Sequence, residues 1–141
     1  MNEQQRRVAA TTKTQERFCG KHFDWKKAAT CVHLMRYHAS KMGHSIKRVP
    51  RFRSALSARR VLKEQGFETL PELMDAYFER IPAARMLAGD VAAFPGEDGW
   101  DSLMIYCQLR AFLGWHEDAP DCQIMRVTEG GYAACKGAWR L

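Results

Sequence analysis

The sequence predicts an α+β fold, with helices in the first half of the chain and an antiparallel sheet in the second. Between residues 30 and 81, apolar residues recur at helical spacing behind good capping residues. Beyond Gly89 the pattern changes to short apolar runs separated by turn residues, which is typical of strands. Helices followed by strands along one chain are typical of a sheet covered by helices.

Four helices are predicted. The most strongly periodic lies behind a capping box at Thr69, because its apolar residues follow at i, i+3, i+4, i+7, i+8 and i+11 from Leu70. The helix around Cys31 has the same kind of apolar stripe on one face. The predicted helices are part of 10–19, Thr30 to about Met42 before Gly43, the Ser54-capped segment that ends at Gly66, and Leu70 to Ile81 before Pro82.

The strands of the second half are short. Val91 to Phe94 precedes a Pro95-Gly96 turn, and two strands, Leu103 to Gln108 and Ala111 to Trp115, are expected to form a hairpin. A further strand is predicted over Gln123 to Thr128, and the C-terminal segment around Trp139 is expected to join the sheet.

The length and composition fit one globular domain. The chain has 141 residues, of which 46% are hydrophobic and 27% charged. We expect residues 1–9 to form a flexible N-terminal tail and residues 10–141 to form the domain. No apolar run approaches the roughly 20 residues that span a bilayer, and the polar N-terminus lacks the apolar core of a signal peptide. We therefore expect synthesis in a cytoplasm and no membrane insertion.

The charge is divided unevenly along the chain. Residues 25–63 contain 11 basic and no acidic residues, whereas residues 64–141 carry a net charge of −7. A basic segment of this kind predicts a docking or solvated face. Nucleic acid is the less favoured partner, because the stretch from Lys47 to Arg53 holds a single aromatic residue and no RNA-binding or helix-turn-helix signature accompanies it. The candidate binding residues are Arg48, Arg51, Arg53, Arg59 and Arg60.

Cys31 is the candidate nucleophile. It falls in the first turn of a predicted helix, where unpaired amides and the helix dipole stabilise a thiolate. A thiol nucleophile also needs a base, usually a histidine held by a third polar group. The five cysteines include no CxxC pair, and Cys31 and His33 point to different helix faces. No cofactor or metal is therefore expected, although the cysteines alone leave an iron–sulfur cluster open.

A series of short motifs follows along the chain: Phe23-x-Trp25, Cys31 at a helix start, the helix end near Gly43, Gly89-Asp90-Val91 and the terminal Ala138-Trp139-Arg140. This layout resembles a family of small phage-encoded proteins that is related to the NlpC-type, papain-like cysteine peptidases, and the resemblance covers roughly residues 15–141. Members of that family tend to lie among phage tail genes. The chain departs from the related peptidases in having Thr30 where an acidic residue usually precedes the cysteine.

The resemblance implies an NlpC-like topology in which a helix presents Cys31 to an antiparallel sheet. In active relatives a strand that begins His-Val-Gly-Ile-Tyr supplies the base. The matching stretch here begins with Ser102, preceded by Asp101, and neither can take over the role of imidazole. His116 lies near the position of the third, orienting group and is a candidate replacement base, as is His22. The catalytic site is thus expected to be degenerate.

Two functions follow as expectations. The first is a structural component of a phage tail tip or baseplate, or a tail-assembly protein, located in the virion and acting through docking to other tail proteins or to the bacterial cell wall. The alternative is an active cell-wall cysteine peptidase or amidase that uses Cys31. The loss of the histidine favours the first, non-enzymatic function.

Overall fold

The computed structural model describes residues 1–46, 52–96, 100–116 and 119–141. Its helices are α1 (Glu3–Phe18), α2 (Cys31–Lys41), α3 (Ala55–Glu64), α4 (Leu70–Tyr77) and α5 (Glu129–Ala133), with a short 3-10 helix at Ala83–Arg85. Its strands are β1 (Glu79–Ile81), β2 (Val91–Phe94), β3 (Ser102–Gln108), β4 (Ala111–His116), β5 (Ala119–Arg126) and β6 (Gly137–Arg140). This is the predicted α+β fold. No helix among the described residues is long and apolar enough to cross a bilayer.

The six strands form one antiparallel sheet in the order β1-β6-β2-β3-β4-β5. The predicted hairpin between β3 and β4 and the predicted entry of the C-terminal segment into the sheet are both confirmed. Helices α1 and α2 pack together, and α2 lies on β3. The sheet therefore presents the start of β3 to the first turn of α2.

Alternation along the strands divides the apolar side chains between two clusters. Leu103 and Ile105 belong to the main core with α1, α2 and α4, whereas Met104 lies in a smaller cluster on the opposite face. The same alternation holds on β4, where Leu113 joins the main core and Phe112 the smaller cluster. Both faces of the central strands are thus buried.

The N-terminal segment is helical from Glu3, so the expectation of a flexible tail over residues 1–9 is wrong. Asn2 and Gln5 form a capping box that starts α1. Arg7 is buried and donates to the carbonyl oxygens of Ala88 and Leu141, each at 2.8 Å. Both acceptors lie far along the chain and hold the first turns of the helix. The polar sequence of residues 1–9 alone does not reveal such contacts.

Two further boundaries differ from the sequence prediction. Helix α4 ends at Tyr77 rather than Ile81, because residues 79–81 pair with β6 as strand β1. Strand β5 begins at Ala119 rather than Gln123 and ends at Arg126 rather than Thr128, and the short helix α5 that follows at Glu129 was not predicted. The apolar spacing of residues 78–81 fits a helix, but pairing with β6 supplies hydrogen-bond partners for the backbone groups of residues 79–81. The last backbone groups of a helix have no such partners within the helix.

Asp90 ties the two ends of the described chain together. Its side chain is fully buried and accepts hydrogen bonds from Arg7, from the Leu87 and Leu141 amides at 2.8 and 3.1 Å, and from Arg140 Nε at 3.0 Å. Gly89-Asp90-Val91 and the terminal Trp-Arg pair, which anchored the family resemblance, therefore meet in one structural network. Their role in this fold is to hold α1 against the sheet.

Candidate functional site

Cys31 is the first residue of α2, as predicted. Thr30 caps the helix: its hydroxyl accepts from the His33 amide and lies 2.7 Å from His33 Nδ1. Cys31 is only 2% exposed, and its thiol donates to the Asp101 carbonyl oxygen across 3.7 Å. The helix start thus brings the sulfur against the backbone that leads into β3.

Burial dominates the acidity of this thiol. It raises the pKa of Cys31 to about 11, and the Asp101 carboxylate acts in the same direction. The Leu103 backbone and the Trp100 side chain lower the pKa, but they do not offset the loss of hydration. The position predicted to activate the thiol therefore holds it as the neutral, protonated form at physiological pH.

Ser102 begins β3, at the position where the resemblance implies a histidine. Its hydroxyl donates to the Trp115 carbonyl oxygen at 3.2 Å, so it is bonded to the neighbouring strand. Asp101 is 5% exposed and its carboxylate lies 2.8 Å from Lys136 Nζ. The backbone of residues 101 and 102 thus lies beside Cys31, where a peptidase would present its base. The side chains at these two positions are a carboxylate paired with lysine and a hydroxyl.

His116 is exposed at the end of β4. It directly follows Trp115, whose carbonyl oxygen accepts from Ser102. His22, the other candidate base, has its Nδ1 2.9 Å from Asp121 and 76% of its side chain exposed.

The candidate catalytic residues line a cavity of about 680 Å³. Cys31, Asp101, Ser102 and His116 all line it. Its walls also contain a run of aromatic rings in edge-to-face contact, from Trp115 through Phe23 and Trp25 to Trp100. Phe23 and Trp25 belong to the pattern that carries the family resemblance, but that pattern does not reveal that their rings line the cavity.

No metal site is formed by the described residues, since no three His, Cys, Asp or Glu side chains converge there. His38, which shares the Cys31 face of α2, is fully buried between Thr14 Oγ1 at 2.8 Å and the Gly89 carbonyl oxygen at 2.7 Å. All five cysteines are free thiols.

The basic candidates are only partly described. Arg53 precedes α3, and Arg59 and Arg60 lie on it; all three are exposed. Arg48 and Arg51 lie outside the described residues. None of the ion pairs found among the described residues involves Arg53, Arg59 or Arg60.

Solved structures with the same fold are NlpC/P60 domains. The P60 domain of an antigen from M. avium subspecies paratuberculosis is 17% identical with a TM-score of 0.58, and the match covers 99% of this chain and 97% of that one. RipD from Mycobacterium tuberculosis, described as a non-catalytic NlpC/p60 domain protein with an adaptation to peptidoglycan binding, is 14% identical with a TM-score of 0.55, covering 96% and 97%.

The same fold occurs in a hydrolase. The peptidoglycan hydrolase RipB from Mycobacterium tuberculosis is 16% identical with a TM-score of 0.57, and the match covers 99% of this chain and 68% of that one. No curated protein sequence matches this chain. Residues 2–141 match the family described as a domain of unknown function, DUF6950. The chain therefore belongs to the DUF6950 family and has an NlpC/P60-like α+β fold.

Proposed function

We propose that this chain is a catalytically inactive NlpC/P60-like domain that acts by docking, as a structural component of a phage tail tip or baseplate or of tail assembly. The observation that carries the proposal is the side chain at residue 102. Cys31 contacts the backbone of Asp101, and the strand that follows begins with serine where the related peptidases have histidine. The phage tail setting comes from the family resemblance, and RipD is a similar structure described as non-catalytic.

The chemistry of the cleft supports inactivity. A cysteine peptidase needs a base that removes the thiol proton and returns it to the leaving amine near neutral pH. The Ser102 hydroxyl is too weak a base, and the Asp101 carboxylate is engaged by Lys136. Because burial raises the pKa of Cys31 to about 11, very little thiolate forms without such a base.

Thiol alkylation tests this proposal directly. At about pH 8, we expect iodoacetamide to modify Cys31 at least about 100-fold more slowly than the exposed Cys19, since a pKa two units above the ordinary thiol value reduces the thiolate about 100-fold. Mass spectrometry of the labelled peptides gives both rates. Labelling in denaturant is the control, in which the two cysteines should react alike. Equal rates in the folded protein would contradict the proposal.

The alternative function, a cell-wall peptidase, is favoured by one observation: His116 lines the same cavity as Cys31. In that case Cys31 would attack a wall peptide with His116 as base. Purified peptidoglycan incubated with the wild-type chain and with Cys31→Ser distinguishes the two functions. Release of peptide fragments by the wild type alone would establish the enzyme and refute the inactive domain.

We expect docking to depend on the exposed arginines on α3 and on the one that lies just before it. Replacing Arg53, Arg59 and Arg60 together with glutamate should abolish co-purification with neighbouring tail proteins expressed from the same phage, because it inverts an exposed charge that steers association. Lys13→Glu with Arg17→Glu, on the exposed surface of α1, is the control for a general change of charge. Unchanged co-purification of the triple variant would argue against docking through this face.

A further inference from the structure

Helix α3 has an outer face that nothing in the described chain covers. The helix buries Ala58 and Leu62 on its inner side. Leu56, Arg59, Arg60 and Lys63, at i, i+3, i+4 and i+7, share the opposite side, and all four are exposed, Leu56 to 67%. We call these four residues the basic face. Because arginine is enriched at protein interfaces, the two arginines beside Leu56 make this face a candidate interface.

A complementary surface lies at the start of the next helix. Glu68 precedes α4 and Glu72 lies in its first turn; both are exposed, and the Glu68 amide donates to the Glu72 carboxylate at 2.8 Å. We call these two residues the acidic face. Among the described residues, no ion pair found in the structure involves either face. The charge complementarity within this chain is therefore not satisfied by folding.

We propose that the basic face of one copy of this chain docks on the acidic face of a second copy. This inference rests on the proposed docking function, and it identifies a second copy of the chain as the partner of α3. Because the two faces are different surfaces, the contact is head-to-tail, and repeating it gives a ring when the rotation closes. Leu56 supplies the apolar contact, and the surrounding charges set the orientation and make the association depend on salt.

The test is sedimentation velocity of the full chain. We expect association at about 50 mM salt and monomers at about 500 mM, where screening shortens the range of these interactions. Arg59→Gln with Arg60→Gln, and separately Glu68→Gln with Glu72→Gln, should each give monomers at both salt concentrations. Glutamine at residue 72 keeps an oxygen that can accept from the Glu68 amide, as Glu72 does at 2.8 Å, so α4 should stay capped.

Mixing the two variants gives the decisive result. Each retains one native face, so the mixture should form a one-to-one dimer that grows no further. Lys13→Gln with Arg17→Gln on α1 is the control and should associate like the wild type. A wild-type chain that is monomeric at low salt, or a mixture that stays monomeric, would overturn the inference. Binding of the monomeric wild type to heparin or DNA would instead assign the basic face to an acidic polymer.

The proposed docking function fails separately from this inference. If the wild type is monomeric but the Arg53, Arg59 and Arg60 triple variant still loses its tail partners, docking to other proteins stands and self-association is refuted. If the wild type associates but the triple variant still co-purifies with tail proteins, self-association stands and the α3 docking site for other proteins is refuted.

Discussion

Replacing Asp90 with alanine is expected to lower the free energy of unfolding by about 3 to 5 kcal/mol, the usual cost of leaving a buried charge without its partner. Arg7 is 4% exposed and would keep the Ala88 and Leu141 carbonyl oxygens as acceptors and a 3.8 Å ion pair with the exposed Glu3, but it would lose its buried carboxylate. The Leu87 amide would lose its acceptor as well. Urea unfolding followed by circular dichroism measures the change.

Two comparisons isolate the buried charge as the cause. Glu129→Ala removes an acid that pairs with Arg110 at 3.8 Å on the surface, away from Arg7, and it should cost less than about 1 kcal/mol. Adding Arg7→Met to Asp90→Ala removes the stranded guanidinium and should recover part of the lost stability. If Asp90→Ala unfolds at the wild-type urea concentration, the network does not hold α1 to the sheet.

The second large effect is a loss of stability in mild acid caused by His38. Burial lowers the pKa of this imidazole from 6.5 to about 4, with nearby Arg7 acting in the same direction and the Gly89 carbonyl and Asp90 opposing it. Between these two values the unfolded chain binds a proton at His38 that the folded chain does not. Stability therefore falls as the pH drops from about 6.5 to about 4, by about 3 kcal/mol in all.

The His38→Gln variant provides the matched measurement. The other ionisable groups remain in both proteins, so the difference between the two stability curves reports His38 together with its coupling to neighbouring charges. We expect the variant to be less stable at neutral pH and to lose about 3 kcal/mol less than the wild type between pH 7 and pH 4. Parallel curves would mean that His38 takes up its proton at a similar pH in the folded and unfolded chains.

Local sequence signals predicted those elements whose ends are fixed by neighbouring residues. The Thr30, Ser54 and Thr69 caps all accept from the amide three residues on, as the cap pattern requires. Elements fixed by distant partners were missed. Strand β1 interrupts a helical apolar period because β6, far along the chain, supplies its hydrogen-bond partners. The first turns of α1 were missed for the same reason.

The turn between β3 and β4 shows a related limit. Gln108, Leu109 and Arg110 all have positive φ angles, of 88°, 53° and 61°, yet none is glycine. Such backbone costs about 1 to 2 kcal/mol per residue, so the pairing of the strands imposes the turn against local preference. The hairpin was predictable from the two apolar runs, and its turn geometry was not.

In the candidate site, the sequence located the residues but not their environment. Position 31 at a helix start and residue 102 at a strand start followed from pattern and resemblance. Whether the sulfur would be hydrated depends on side chains from several elements, and Trp100 and the Asp101 backbone come from a loop with no regular period. The acidity of Cys31 therefore could not be read from its place on the helix.

The burial of Cys31 also determines what would be needed to turn this cleft into a hydrolase. Histidine at residue 102 would supply a base, but the sulfur it would serve has almost no accessible surface for a substrate carbonyl to approach. Bond formation needs the reacting atoms within about 3 to 3.5 Å of each other. Gain of activity would thus take an opened entrance to the sulfur together with the new imidazole, two coupled changes made on separate elements.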